Sequence, residues 1–227
     1  MKRVGLIGIG YWGKILLSKL NRISDVKFVC DSKQDYRDKL DLVDWVFVAT
    51  TNETHYEIVK LCLLKGKNVF CEKPLTLSLQ ESIELFDIAN HNNLKLYVDD
   101  VFNYRIERRE LHESLKRQNF DQIEVFWSSP SRNPLCDLLY HDLYLLYPIL
   151  RNKLDIKWPK INNVVFNYST SSRKKHFVNN INFTHTEKSN DALLEMIESV
   201  LENNVNYEFN KEISLFCNKT LERIKQC

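Results

Sequence analysis

The chain has 227 residues and a formal net charge of +2. That is enough for one large domain or two small ones and too balanced for a nucleic-acid footprint or an acidic tail. Hydrophobic residues make up 44% and charged residues 27%, as in soluble globular proteins, and no apolar run approaches the roughly 18 residues of a membrane span. The six cysteines, at 30, 62, 71, 136, 217 and 227, form no CxxC pair and no metal spacing. Several sit in apolar runs, where a reduced thiol acts as a small hydrophobe. The expectation is a cytoplasmic protein with no metal, no nucleic-acid partner and no membrane partner.

The first hundred residues alternate strand and helix signals. The opening MKRVGLIGIG begins like a signal peptide, but it is broken by glycines and lacks a small-residue cleavage site, so Lys2–Gly8 reads as a strand. A helix over Trp12–Leu20 follows, then a strand at Val26–Asp31, a polar stretch with helical character at Lys33–Leu40 and a strand at Trp45–Thr50. Next come a helix at Glu53–Lys65 ended by Gly66 and a strand at Asn68–Cys71. The helix Ser78–Asn90 opens with Ser78 and Glu81 in capping-box spacing, and Lys95–Val98 is a fifth strand. Short apolar strands between amphipathic helices predict a parallel sheet covered on both faces.

Near residues 99–105 the alternation stops. Arg105–Arg117 is a charged helix, Gln122–Ser128 a strand and Leu138–Leu150 an apolar helix. Ile161–Ser169 and His176–Thr184 alternate apolar and polar residues as antiparallel strands do. Asn190–Leu201 and Lys211–Ile224 close the chain as helices. The predicted fold class is α/β: a Rossmann-type dinucleotide-binding domain over 1–102, then a smaller α+β domain over 103–227 with a reduced antiparallel sheet, since only about two strands fit into residues 152–186.

Three of only five glycines crowd into residues 8–13, as Gly8-Ile9-Gly10-Tyr11-Trp12-Gly13. This GxGxxG follows a strand, opens a helix, and has Asp31 at the end of the next strand, which is the context a dinucleotide site requires. Gly8 permits the turn, Gly10 lets backbone N–H groups approach a pyrophosphate, Gly13 allows close helix–strand packing, and the helix N-terminus favours the phosphates. Asp31 suits ribose hydroxyls and so favours NAD, whereas Ser32 and Lys33 suit the extra phosphate of NADP. A tight turn with no ligand is the plainer alternative. Strand three ends in TTNETH, where Thr51 or Asn52 suits a helix cap and Thr50, Asn52 and His55 are expected to face the cofactor at the sheet's carboxyl edge. Strand four runs into Glu72-Lys73-Pro74 and strand five into Asp99-Asp100, so all five strands carry unusual residues at the end where ligands bind.

GIGYWGK, TNETHYEI and CEKPLTLSLQES, in this order and spacing, resemble the Gfo/Idh/MocA family of sugar and polyol oxidoreductases. The likeness runs through about residue 110 and resumes at PLCDLLYHDLYLL (134–146) and from Asn190 onward. The resemblance implies that Lys73 is the catalytic lysine and Pro74 the proline, often cis, of an EKP motif. It implies that Asp137 and His141 are the family's helix pair beside the reacting sugar carbon, and that Asn103 and Tyr104 line the substrate pocket. YWGK and VFNYR are also similar to the branch acting on nucleotide-linked sugars. Asp99-Asp100 departs from the family, which usually shows a glycine and then a histidine or other residue there.

The residues agree with that implication. Asp137 and His141 are i and i+4, hence on one helix face. His141 suits proton acceptance near neutral pH. Lys73 suits either polarising the oxygen or acting as the acid–base itself. For His141 a hydrogen-bonded core histidine is the plainer alternative. Arg105, Arg108 and Arg109 have the charge to meet a diphosphate, although helix-face arginines are commonly just solvated. The expected activity is NAD(P)-dependent hydride transfer at a sugar or nucleotide-sugar carbon, by a monomer or weak homodimer. The alternative is a dinucleotide-binding sensor or scaffold without turnover, which the short second domain favours and the retained Lys73, Asp137 and His141 oppose.

Overall fold

The computed structural model describes residues 1–31, 34–117, 122–129, 134–151, 155–157, 159–161, 163–170, 175–184 and 191–224. The chain forms two compact units, Met1–Asp99 with Leu193–Asn218, and Asp100–Ala192 with Lys219–Cys227. The sequence reading places everything after residue 102 in a second domain. The structure instead gives the closing helices largely to the first unit.

In the first unit, β1 (Arg3–Ile7), β2 (Asp25–Cys30), β3 (Trp45–Val48), β4 (Asn68–Cys71) and β5 (Leu96–Val98) alternate with α1 (Tyr11–Ile23), α2 (Asn52–Leu64) and α3 (Leu79–His91). The sheet is parallel throughout, in the order β2-β1-β3-β4-β5. The chain order therefore reverses beside β1, the switch point at which open α/β sheets bind ligands. The strands read as continuous apolar runs because both faces are covered. On one face Ile7, Val46, Val48, Val69, Cys71 and Val98 share a core cluster with Val59, Cys62 and Leu63 of α2 and Leu85, Phe86 and Ala89 of α3. Alternate residues face the other way, where Phe47 stacks on Phe70 at 4.9 Å and Phe70 on Tyr97 at 6.1 Å. Tyr207 then meets Tyr97 edge-on at 6.0 Å. The polar stretch expected after β2 is a 3₁₀ segment, Arg37–Leu42.

Tyr207 opens α7 (Tyr207–Ile224), which follows α6 (Ala192–Leu201). Asn210 of α7 hydrogen-bonds both backbone groups of Val98. Asn218 Nδ2 donates to the Thr76 carbonyl at 3.0 Å and to Ser82 Oγ at 2.9 Å. These long-range bonds hold the closing segment to the first unit. At the start of α3, Ser78 Oγ accepts from the Glu81 N–H at a long 3.5 Å, so the predicted capping pair is present. Thr51 occupies the N-cap of α2, but its side chain makes no capping bond.

The second unit has a 3₁₀ segment Val101–Tyr104, α4 (Ile106–Arg117), β6 (Ile123–Ser129), α5 (Pro134–Leu150), β7 (Ile156–Lys157), β8 (Lys160–Ile161), β9 (Val164–Thr170), β10 (Lys175–Val178) and β11 (Ile181–Asn182). Among the described residues its sheet has six strands in the order β11-β10-β6-β9-β8-β7, and five of them, β7 to β11, fall within residues 152–186, where the sequence reading expects about two. It is mixed, because β6 and β9 run parallel while the other pairings are antiparallel. Three strands are only two residues long, too short to leave a period in the sequence. The β10–β11 hairpin turns on Asn179 and Asn180, with φ of 49° and 67°, as a two-residue primed turn requires.

Candidate functional site

The glycine turn is built by close approach. Gly8 has φ +100°, a left-handed conformation that side chains avoid, and a Cβ there would collide with the Ala49 carbonyl. A Cβ on Gly13 would collide with the Gly8 carbonyl oxygen. Gly10 differs: a Cβ there meets nothing within 4 Å. The space over Gly10 is open, at the N-terminus of a 13-residue helix with no acidic residue in its first turn. That is the cradle a pyrophosphate needs, so these residues fit a dinucleotide. Tyr11 and Trp12 flank the cradle, 72% and 50% exposed, with their rings edge-to-face at 5.4 Å.

Hydrogen bonds continue past the strand ends and set the neighbouring residues level. Gly8 N–H donates to the Cys30 carbonyl, Ala49 N–H to Ile7, Glu72 N–H to Val48 and Asp99 N–H to Cys71, all at 2.8–2.9 Å. Asp31, the glycine turn, Thr50, Glu72-Lys73 and Asp99 therefore follow one another across a single edge. Lys73 is half-buried, two strands or about 10 Å from the turn, and its bond to Pro74 is cis. Asn52 is exposed at the first position of α2, and Thr50 Oγ1 accepts from the Thr54 hydroxyl at 2.8 Å. Ser32 and Lys33 lie outside the described residues.

His55 is not on this edge. Its ring is fully buried, with Nδ1 2.9 Å from the Pro74 carbonyl oxygen and Nε2 3.3 Å from that of Thr50. It ties the end of β3 to the loop after Lys73 instead of facing a cofactor. Burial lowers its pKa, and the carbonyl contacts oppose that only in part.

Glu72 is 7% and Asp99 5% exposed. Burial first, and then Asp99, push the Glu72 carboxyl well above its usual range, while Lys73 pulls the other way. A side-chain hydrogen bond with Asp99 adds to that upward shift. Asp99 thus sets a second buried carboxyl beside Glu72.

The second unit holds the other predicted residues. Asn103 and Tyr104 lie on the 3₁₀ segment, where Asn103 Nδ2 donates to Asp100 Oδ2 at 3.2 Å. Asp137 and His141 lie on α5 as predicted; the side chain of Asp137 is outside the described residues. His141 is 8% exposed, its ring 4.3 Å from that of Phe102. Arg105 does not reach outward: its Nη1 donates to the Phe183 carbonyl at 2.6 Å and its guanidinium lies over Phe102 at 4.4 Å.

The sequence reading misses one cluster altogether. Asp142, beside His141, is fully buried and accepts from Trp127 Nε1 at 2.7 Å, the Tyr168 hydroxyl at 2.6 Å and His176 Nε2 at 2.7 Å. The one signal in the sequence is an aspartate inside an apolar helix. Its donors come from three strands and converge only once the register is known.

Residues 22–100 match the model of an oxidoreductase family with an NAD-binding Rossmann fold, Gfo/Idh/MocA. An inositol 2-dehydrogenase/D-chiro-inositol 3-dehydrogenase of Lactiplantibacillus plantarum is 33% identical over 108 residues, covering 37% of this chain and 31% of that protein. A myo-inositol 2-dehydrogenase of Thermotoga maritima is 30% identical over 155 residues, covering 58% of this chain and 46% of that protein. The chain thus spans less than half the length of these curated relatives. Among solved structures, the UDP-N-acetylglucosamine 3-dehydrogenase GnnA of Acidithiobacillus ferrooxidans superposes with a TM-score of 0.76 at 17% identity, over 98% of this chain and 96% of that one. The WlbA dehydrogenase of Thermus thermophilus, in complex with NAD and UDP-GlcNAcA, gives 0.73 at 14% identity, over 97% and 94%. At these identities the likeness is one of fold. Among the described residues no helix is long and apolar enough to cross a membrane.

Proposed function

For a chain that carries the NAD-binding Rossmann domain of the Gfo/Idh/MocA oxidoreductases, we propose an NAD(P)-dependent dehydrogenase or ketoreductase of a sugar, cyclitol or nucleotide-linked sugar. One observation carries the reading: the open glycine cradle, Asp31 and Lys73 stand along the carboxyl edge of one parallel sheet, at its switch point. The inositol dehydrogenases among the relatives favour a polyhydroxylated ring as substrate.

In this reading the backbone of Gly8–Gly13 and the start of α1 hold the dinucleotide phosphates, and Asp31 accepts from ribose hydroxyls. Tyr11, Trp12, Thr50, Asn52 and Glu72 line the cofactor's course. When bound, the nicotinamide supplies a carbon that accepts or returns hydride. Lys73 donates to the substrate oxygen and stabilises negative charge on it as its C–H bond weakens. His141 takes the hydroxyl proton, Asp137 orients the substrate, and Asn103 and Tyr104 contact its ring. The upward shift of the Glu72 carboxyl favours its neutral form beside Lys73, which leaves the ammonium freer to serve an oxyanion.

The test is nicotinamide absorbance during turnover, with NAD and NADP supplied separately against a panel of inositols, free sugars and UDP-linked sugars. Turnover by the wild type, reduced about a hundredfold or more in Lys73→Met with dinucleotide affinity kept, supports the reading. Dinucleotide binding without turnover on any member would make the chain a non-catalytic binding protein.

A further inference from the structure

Trp127 of β6 is the register partner of both His176 on β10 and Tyr168 on β9. Directly opposed residues project to the same face of a sheet, so Tyr168, Trp127 and His176 form one transverse row. All three present a donor, and all three donors end on Asp142: Trp127 and Tyr168 on Oδ2, His176 on Oδ1. A fully buried carboxylate is costly unless its lone pairs are met, and here three short bonds meet them. Burial and the adjacent Asp142 push the Tyr168 hydroxyl well above its usual range, so it holds its proton and donates. The row is also packed as a unit, with the His176 ring stacked on Trp127 at 3.8 Å and 16°.

The hydrophobic drive that seats an apolar helix on a sheet is non-directional, so it sets the roll of the helix about its axis only weakly. Three hydrogen bonds from one rigid row to one carboxylate remove that freedom. His141 is the next residue back along α5. Its ring lies against Phe102, and Phe102 in turn meets the row, 6.1 Å from Trp127 and 5.5 Å from His176. Phe102 sits on the same 3₁₀ segment as Asn103 and Tyr104. The row thus bears on His141 by two routes, through the helix backbone at Asp142 and through the Phe102 ring.

We propose that Asp142, held by Tyr168, Trp127 and His176, is a positioning residue that sets the orientation of the His141 imidazole and of the Asn103–Tyr104 segment. Its functional consequence rests on the dehydrogenase reading above; the structural claim does not. His176 Nδ1 is buried and meets no hydrogen-bonding partner among the described residues. The ring's only polar anchor there is Asp142, so loss of that carboxylate frees His176 as well.

The experiment uses the full chain and histidine ring resonances in long-range ¹H–¹⁵N correlation spectra, assigned with single variants such as His141→Gln. Asp142→Asn leaves one acceptor oxygen for three donors and turns an NH₂ toward at least one of them, Tyr168→Phe removes one bond and keeps the ring, and Val164→Ala trims a buried residue of β9 outside the row. The expected result is one sharp His141 signal in the wild type and in Val164→Ala. That signal splits or broadens in Tyr168→Phe and more so in Asp142→Asn, while His55 of the first unit is unchanged. On any substrate the wild type turns over, kcat falls by about tenfold to a hundredfold in Asp142→Asn, with KM for the dinucleotide unchanged. A His141 signal identical in the wild type and Tyr168→Phe, or perturbed equally by Val164→Ala, overturns the proposal. Absence of turnover in the wild type would count against the dehydrogenase reading alone, because the spectra still decide the positioning role.

Discussion

Asn210 clasps Val98 from outside the first sheet: its Oδ1 accepts from the Val98 N–H and its Nδ2 donates to the Val98 carbonyl, both at 2.9 Å. Val98 ends β5, the edge strand, and its outward backbone groups would otherwise be buried without partners. The amide does what a sixth strand would do and closes an edge that invites foreign pairing.

Replacing that amide by a hydrocarbon of similar size isolates the effect. Asn210→Leu should destabilise the chain by about 2–4 kcal/mol, since two buried backbone groups lose their partners at roughly 1–3 kcal/mol each. Urea denaturation should show a lower midpoint at an unchanged slope. A loss below about 0.5 kcal/mol would mean that water reaches the β5 edge and that the clasp is incidental.

Much of the first unit is legible in the sequence, because each strand is a closed apolar run bounded by polar turns and parallel sheets buried on both faces leave that signature. β4 appears at its observed limits, and the glycine turn announces its ligand class through spacing and position. The second unit is harder. Its two-residue strands carry no period, and the partnership of β6 with both β9 and β10 depends on contacts far apart in sequence. His55 shows the limit for site residues. Polar residues at a strand's end read alike, yet Asn52 is exposed while His55 turns inward to hold the Thr50 and Pro74 carbonyls. Asp142 is not legible, since in an apolar helix an HD pair presents the histidine as the group suited to proton transfer. Its role depends on a row of donors that only the register assembles.

Glu72 should tilt the pH dependence of stability. Its folded pKa is raised by burial and by Asp99, so above about pH 4.5 the folded chain keeps a proton that the unfolded chain releases. Stability from this group is therefore fully present at low pH and is lost as pH rises toward the folded value, at about 1.4 kcal/mol per pH unit. Glu72→Gln keeps a neutral hydrogen-bonding group and abolishes that slope. Denaturant midpoints from pH 5 to 9 should fall in the wild type relative to the variant, leaving the variant the more stable protein at pH 8. Parallel profiles would show that Glu72 is ionised in the folded chain.

His55 acts with the opposite sign. Its pKa is lowered from 6.5 chiefly by burial, so as pH falls below that value the unfolded chain takes up a proton before the folded one does. Stability is present above the unfolded value and is lost on acidification. His55→Gln, which can still donate one hydrogen bond, should lose less stability between pH 7 and 5 than the wild type does. Equal losses in the two proteins would mean that the buried ring protonates as freely as an exposed one.

The glycine turn separates folding from binding at neighbouring positions. Gly13→Ala forces a methyl group against the Gly8 carbonyl, so the variant should be destabilised by about 2 kcal/mol or more and should bind dinucleotide poorly for that reason. At Gly10 the added methyl meets nothing in the protein, and its φ of −63° is open to any residue. Gly10→Ala should therefore fold with an unchanged melting temperature. The methyl occupies the space where the turn's N–H groups would meet a pyrophosphate, so calorimetric titration should show NAD binding weakened at least about tenfold, a cost near 1.4 kcal/mol. Wild-type affinity in Gly10→Ala would place the pyrophosphate elsewhere and remove the glycine turn from the site, because no folding defect would be available to explain the result.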